Sequence, residues 1–92
     1  MKISAIIRNN KKYLLENIQP NDGLISSLFS LNCIAEESSH FIRQQRSRDK
    51  NAELLYIVKS FDETKFTTFV KCLRQTNQTE VARVVATGGG SV

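Results

Sequence analysis

Arg43, Arg46, Arg48 and Lys50 place four cations within eight positions, opposed in that stretch only by Asp49. A second group, Arg8, Lys11 and Lys12, lies near the start of the chain. Such side chains make and break no covalent bonds. They grip carboxylates, and Arg does so with two parallel hydrogen bonds at once. Residues able to do covalent or metal chemistry are few and badly spaced. His40, the one histidine, sits between Ser39 and Phe41 with no second ligand or acid partner near it in sequence, whereas zinc needs three or four ligands. Cys33 and Cys72 are isolated and far apart, the pattern of small buried thiols in a reducing compartment. Gly88-Gly89-Gly90 follows an expected helix, whereas a phosphate-cradling loop must precede one. The expectation is therefore a binding protein, with no catalytic, metal or cofactor site.

Those side chains need a scaffold, and the composition points to helices. The chain has 92 residues, 40% hydrophobic and 24% charged, with four Gly, one Pro and no Trp. Scarce Gly and Pro disfavour a many-turned β-sandwich, and this length supports one core that buries about 60–65% of the unfolded surface. Ile3, Ile6, Ile7, Leu14, Leu15 and Ile18 form one helical stripe whose middle is broken by Asn10 and Lys11, so a kinked or broken first helix is expected over 3–18. Pro20-Asn21-Asp22-Gly23 reads as a turn, with Asn21 or Asp22 capping a second helix carried by Leu24, Ile25, Leu28 and Leu31. A third helix is expected over 36–45 with Phe41 and Ile42 inward. Ala35 gives it no cap, although Glu36 and Glu37 suit its dipole.

Ser47 should cap a fourth, central helix over 48–59, rich in Leu54, Leu55, Ile57 and Val58. Phe66, Phe69, Val70 and Leu73 mark a fifth, started by Ser60 or Asp62. Val81, Val84 and Val85 mark a sixth, with Gly88 as its stop. The expected fold is all-α, a six-helix antiparallel bundle with a bent first helix. One domain should occupy 1–87, with 88–92 as a flexible tail or linker. No apolar run approaches the ~20 residues that span a bilayer, and the first residues lack a signal peptide's apolar core. A cytoplasmic protein without membrane contact is expected. The net charge of +4 and pI near 9.3 ask for an acidic partner. A nucleic-acid binder is the rival reading, with Phe41-Ile42-Arg43-Gln44-Gln45-Arg46 as its recognition segment. It lacks a dense basic stripe, so nucleic acid is not the expected partner.

Order and spacing over residues 3–87 resemble the caspase recruitment domain of the death-fold superfamily. Leu73-Arg74-Gln75-Thr76-Asn77-Gln78 is similar to the family's junction of leucine, arginine, an acidic residue, threonine, glycine and glutamine before its last helix. Val81-Ala82-Arg83-Val84-Val85 follows as that apolar helix does. Arg48-Asp49-Lys50 with Leu54-Leu55 resembles the start of its fourth helix, and Ile7-Arg8 with Leu14-Leu15-Glu16 its first. Asn77 stands in glycine's place and Ala35 in that of a Ser or Thr cap. The resemblance implies a six-helix death fold and homotypic docking between such domains, as an adaptor in apoptotic or innate immune, inflammasome-like signalling. Unlike surfaces would meet head to tail, so repetition could build a filament. It also implies a basic surface at Lys11 and Arg48, extended by Arg8, Lys12 and Lys50, with Arg43 and Arg46 as further basic candidates. The acidic counterpart would rest on Asp22, Glu36 and Glu37, because Ser26, Ser38 and Ser39 stand near positions where the family often has carboxylates. The implied partner is another protein carrying this domain, or further copies of this one. A death domain or pyrin domain is the sibling alternative.

Overall fold

The computed structural model describes residues 3–87, the side chains of Ser47 and Arg48 apart. The expected tail and the Gly88 stop lie outside the described residues. Among the described residues seven helices follow one another: α1 (Ile3–Asn9), α2 (Lys11–Asn17), α3 (Asp22–Ser30), α4 (Glu36–Gln44), α5 (Ser47–Val58), α6 (Glu63–Gln75) and α7 (Thr79–Ala86). No strand occurs among the described residues. The count is seven and not six because residues 3–17 divide at Asn10. Its φ of −116° and ψ of 17° leave the helical region. The Asn10 N–H still donates to Ile6 O, and the Leu14 N–H to Asn10 O, so the chain is interrupted for a single residue. The Asn10 side chain also donates to Ile6 O at 2.8 Å. This competition with the backbone ladder is what makes Asn a weak helix former.

One core unites the helices. Ile6, Ile7, Leu14, Leu24, Leu28, Leu54, Val58, Phe69 and Leu73 are all buried in it. Helix α5 packs on α1, α2 and α4, while α6 packs on α3 and α7. Phe61 meets Phe69 edge to face with ring centres 6.3 Å apart, and Phe66 lies 6.2 Å from Phe69. Such aromatic pairs add about 0.5–1.5 kcal/mol beyond their buried area. The Cα radius of gyration is 11.9 Å, against about 12 Å for one compact domain of this length.

Caps and turns set where each helix starts and stops. Asn21 Oδ1 accepts from the Leu24 N–H at 2.8 Å and starts α3. Asp62 Oδ1 accepts from the Lys65 N–H at 2.8 Å and starts α6, so Asp62 and not Ser60 is the cap. Ala35 has no side-chain cap to offer α4. Helix α5 begins at Ser47 itself, with Arg46 in the cap position, one residue earlier than expected.

Helices α3 and α6 end alike, each with an Asn in the left-handed region: Asn32 at φ 61° and Asn77 at φ 66°. In both, the next N–H reaches back five residues, Cys33 to Leu28 O and Gln78 to Leu73 O, each at 2.8 Å. This is the Schellman closure, and Asn is the non-glycine residue that tolerates it best.

Two inward assignments are corrected. Leu31 lies beyond the last turn of α3 and is 56% exposed. Phe41 is 49% exposed. The inward face of α4 runs instead through Ser39 and Ile42, the two buried residues of that helix.

Candidate protein-binding surface

Arg8 lies in the last turn of α1, and Lys11 and Lys12 open α2. The break at Asn10 therefore groups three cations around one corner. Arg8, Lys11 and Lys12 share a surface depression with Glu16 and Leu15. Beside it, a cleft of about 360 Å³ separates α1–α2 from α5. Its apolar lining comes from Ile7, Leu15, Ala52 and Leu55, and its cations are Arg8, Lys11 and Lys59. A third depression holds Lys50, Asn51, Glu16 and the 18–21 connection. Leu15 lines all three, so the surface is continuous. Glu16 is the only carboxylate lining it among the described residues. Arg8, Lys11, Lys12 and Lys50 have no ion-pair partner among the described residues. Asn51 Nδ2 donates to Leu15 O at 2.8 Å and ties α5 to α2 beneath this surface.

The structure brings Arg8, Lys11, Lys12 and Lys50 to this face. Arg48 lies in the first turn of α5, but its side chain falls outside the described residues. Arg46 is exposed at the α5 cap position. Arg43 is engaged elsewhere. Its Nη1 donates to Ser39 Oγ at 3.0 Å, its Nη2 to Ser26 Oγ at 2.7 Å, and its Nε lies 3.5 Å from Asp22 Oδ1. Arg43 thus clamps α3 to α4. Asp22, one of the acidic candidates, already faces this internal cation. Glu36 Oε1 lies 3.9 Å from His40 Nε2, while Glu37 is exposed one helical turn before Phe41.

Sequence reasoning missed two residues of the face. Lys59 follows the last turn of α5, with Nζ 4.6 Å from the centre of the Tyr56 ring, and both line the cleft. Their three-residue spacing puts them on one helix face, the signal that could have found them. The cysteines play no part in the face. Burial pushes the Cys33 and Cys72 thiols above their ordinary pKa, and the neighbouring Cys33 raises Cys72 further. Neutral buried thiols are poor nucleophiles. Among the described residues no group of three or more His, Cys, Asp or Glu could hold a metal ion. No helix among them is long and apolar enough to cross a membrane.

A helical globule with a cationic face fits many binding proteins, and the comparison with known families decides between them. The family model for the caspase recruitment domain matches residues 4–88, nearly the whole chain. The chain belongs to that family. No curated protein and no solved structure matches it. Caspase recruitment domains are interaction modules of the death-fold superfamily that bind other such domains, and they are not a catalytic family. In this caspase recruitment domain the helix junction that carries the likeness has a visible structural duty. Gln78 is buried, accepts from the Gln19 N–H at 2.7 Å through Oε1, and donates from Nε2 to Gln19 O at 2.8 Å. One side-chain amide thereby pins the α2–α3 connection to the α6–α7 corner, across 59 positions.

Proposed function

We propose that this caspase recruitment domain is a cytoplasmic adaptor in apoptotic or innate immune signalling, docking through its cationic face onto the acidic face of another such domain or of a further copy. The observation carrying this reading is the group Arg8, Lys11, Lys12 and Lys50 around Leu15, none with an ion-pair partner among the described residues; Arg48 joins the proposed face on the family resemblance alone. Exposed cations gathered on one face would steer an acidic surface into register and raise its rate of encounter. Helices α1 and α2 are read as the two halves of one bent first helix, which makes the bundle a six-helix death fold over 1–87 with 88–92 as its tail or linker. Asp22, Glu36 and Glu37 would supply the opposite, acidic face, weakened by the contact of Asp22 with Arg43. Head-to-tail use of both faces would extend into a filament.

The test is the double variant Arg8→Glu with Lys11→Glu. Both residues are exposed, so helical content by circular dichroism and the melting temperature should stay as in the parent. Binding to an acidic partner domain, and filament growth in electron micrographs, should be lost. Assembly that survives both reversals would refute the assignment of this face.

A further inference from the structure

The acidic side of this domain is poor in free charge. Asp22 faces Arg43, Glu36 faces His40, and Ser26 and Ser39 accept hydrogen bonds from Arg43. Glu37 is exposed on α4 and has no basic side chain against it among the described residues, while Glu36 has only His40 at 3.9 Å, which is charged only when protonated. Beside Glu37, one turn on, Phe41 turns about half of its surface to solvent. A separate surface, between α1–α2 and α5, offers the complement. Its cleft of about 360 Å³ has an apolar lining of Ile7, Leu15, Ala52 and Leu55, carries Arg8, Lys11 and Lys59, and includes no carboxylate. A cavity of about 150 Å³ is already enough to take up benzene, so a phenylalanine ring fits with room for its flanks.

Resting on the docking role proposed for the cationic face, we infer that the cleft receives Phe41 from a second copy of this chain, with the Glu37 carboxylate set against its cations. The occupant is this chain itself because knob and hole match in both chemistry and charge. An exposed aromatic beside an exposed carboxylate meets a mainly apolar cleft whose charged lining residues are all cations. A buried aromatic anchor within a charged rim is also the arrangement that concentrates binding energy at interfaces. Knob and hole are different surfaces, so the contact is heterologous and does not close on itself.

Two surface substitutions separate the halves of the contact. Phe41→Ser removes the knob, and Ala52→Phe fills the hole from an exposed position in α5. Both should keep the parent's circular dichroism spectrum. Sedimentation velocity on the whole chain should show concentration-dependent growth for the parent. Each variant alone should need about tenfold more protein, or fail to assemble. An equimolar mixture should give a one-to-one dimer and nothing larger, because only one intact contact can form. A parent chain that stays monomeric throughout overturns the inference and leaves the basic face to a different acidic domain. Variants that assemble like the parent, while Arg8→Glu with Lys11→Glu does not, overturn it in favour of docking by charge alone. Assembly that persists in all three variants overturns the docking role of the cationic face as well.

Discussion

Gln78 shows how much one side chain can hold in a small domain. Its amide supplies one acceptor and one donor to the same backbone residue, Gln19, in the manner of a sheet ladder rung. Its Nε2 also lies 3.2 Å from Thr76 Oγ1, which itself bonds the Cys72 and Leu73 carbonyls at the end of α6. Removing the amide strands a backbone N–H and a carbonyl in a part-buried site, where each unmade bond costs about 1–3 kcal/mol. Gln78→Ala should therefore lower stability in urea by about 2 kcal/mol. That is a large share of the 5–15 kcal/mol typical of a domain. Gln78→Glu should not rescue it, since a carboxylate would face Gln19 O with no proton to donate. A Glu variant as stable as the parent would show that the link contributes little. Asn77 is a milder case, because its left-handed φ of 66° is tolerated by Asn, and the turn keeps both of its closing bonds.

At the scale of elements, two of the caps written in the sequence act as expected, whereas Ser47, expected to cap α5, lies inside it. Asn21 and Asp62 both accept the backbone N–H three residues on. The weak start at Ala35 is equally visible, and α4 has only Glu36 and Glu37 to favour its first turn. Ala35→Ser should stabilise the domain by about 1 kcal/mol, raising the melting temperature by roughly 4–8 °C in a domain of this size. No gain on thermal unfolding would mean that tertiary packing already fixes that turn. The orientation of α4 was not legible in the same way. Phe41 and Ile42 are adjacent and apolar, and a helix can bury only one such neighbour fully when its inward face is narrow. What favours Ile42 is Arg43 beside it, whose bond to Ser26 and contact with Asp22 draw that edge of the helix onto α3 and leave Phe41 outside. A long-range clamp of this kind has no local signature. The division at Asn10 is the converse. Two polar residues in an apolar stripe foretell it, because both ends of the stripe must still reach one core.

For the whole molecule, the core and the proposed docking face share Ile7 and Leu55 but differ in their charged residues. The core is apolar and continuous, and neither the Arg43–Asp22 and Arg83–Glu80 ion pairs nor the Glu36–His40 contact, found among the described residues, lines the cationic face. The cationic character of the proposed docking side was legible in residue types: Arg8, Lys11, Lys12 and Lys50 line adjoining depressions in the fold. Its shape was not, since the cleft arises from packing α1–α2 against α5, and Lys59 and Tyr56 enter it only through that packing. Salt should therefore separate stability from binding. Raising ionic strength from 0.1 to 1 M shortens the screening length from about 10 Å to about 3 Å. Exposed cations that guide an acidic partner lose most of their reach, whereas buried apolar contacts do not. The association rate with an acidic partner domain should fall by about 10–100-fold. The dissociation rate and the melting temperature should change far less. Stopped-flow association traces set beside thermal unfolding curves at the same salt concentrations measure both. A rate that ignores salt would mean that shape alone, with no electrostatic steering, brings the partner to the cleft.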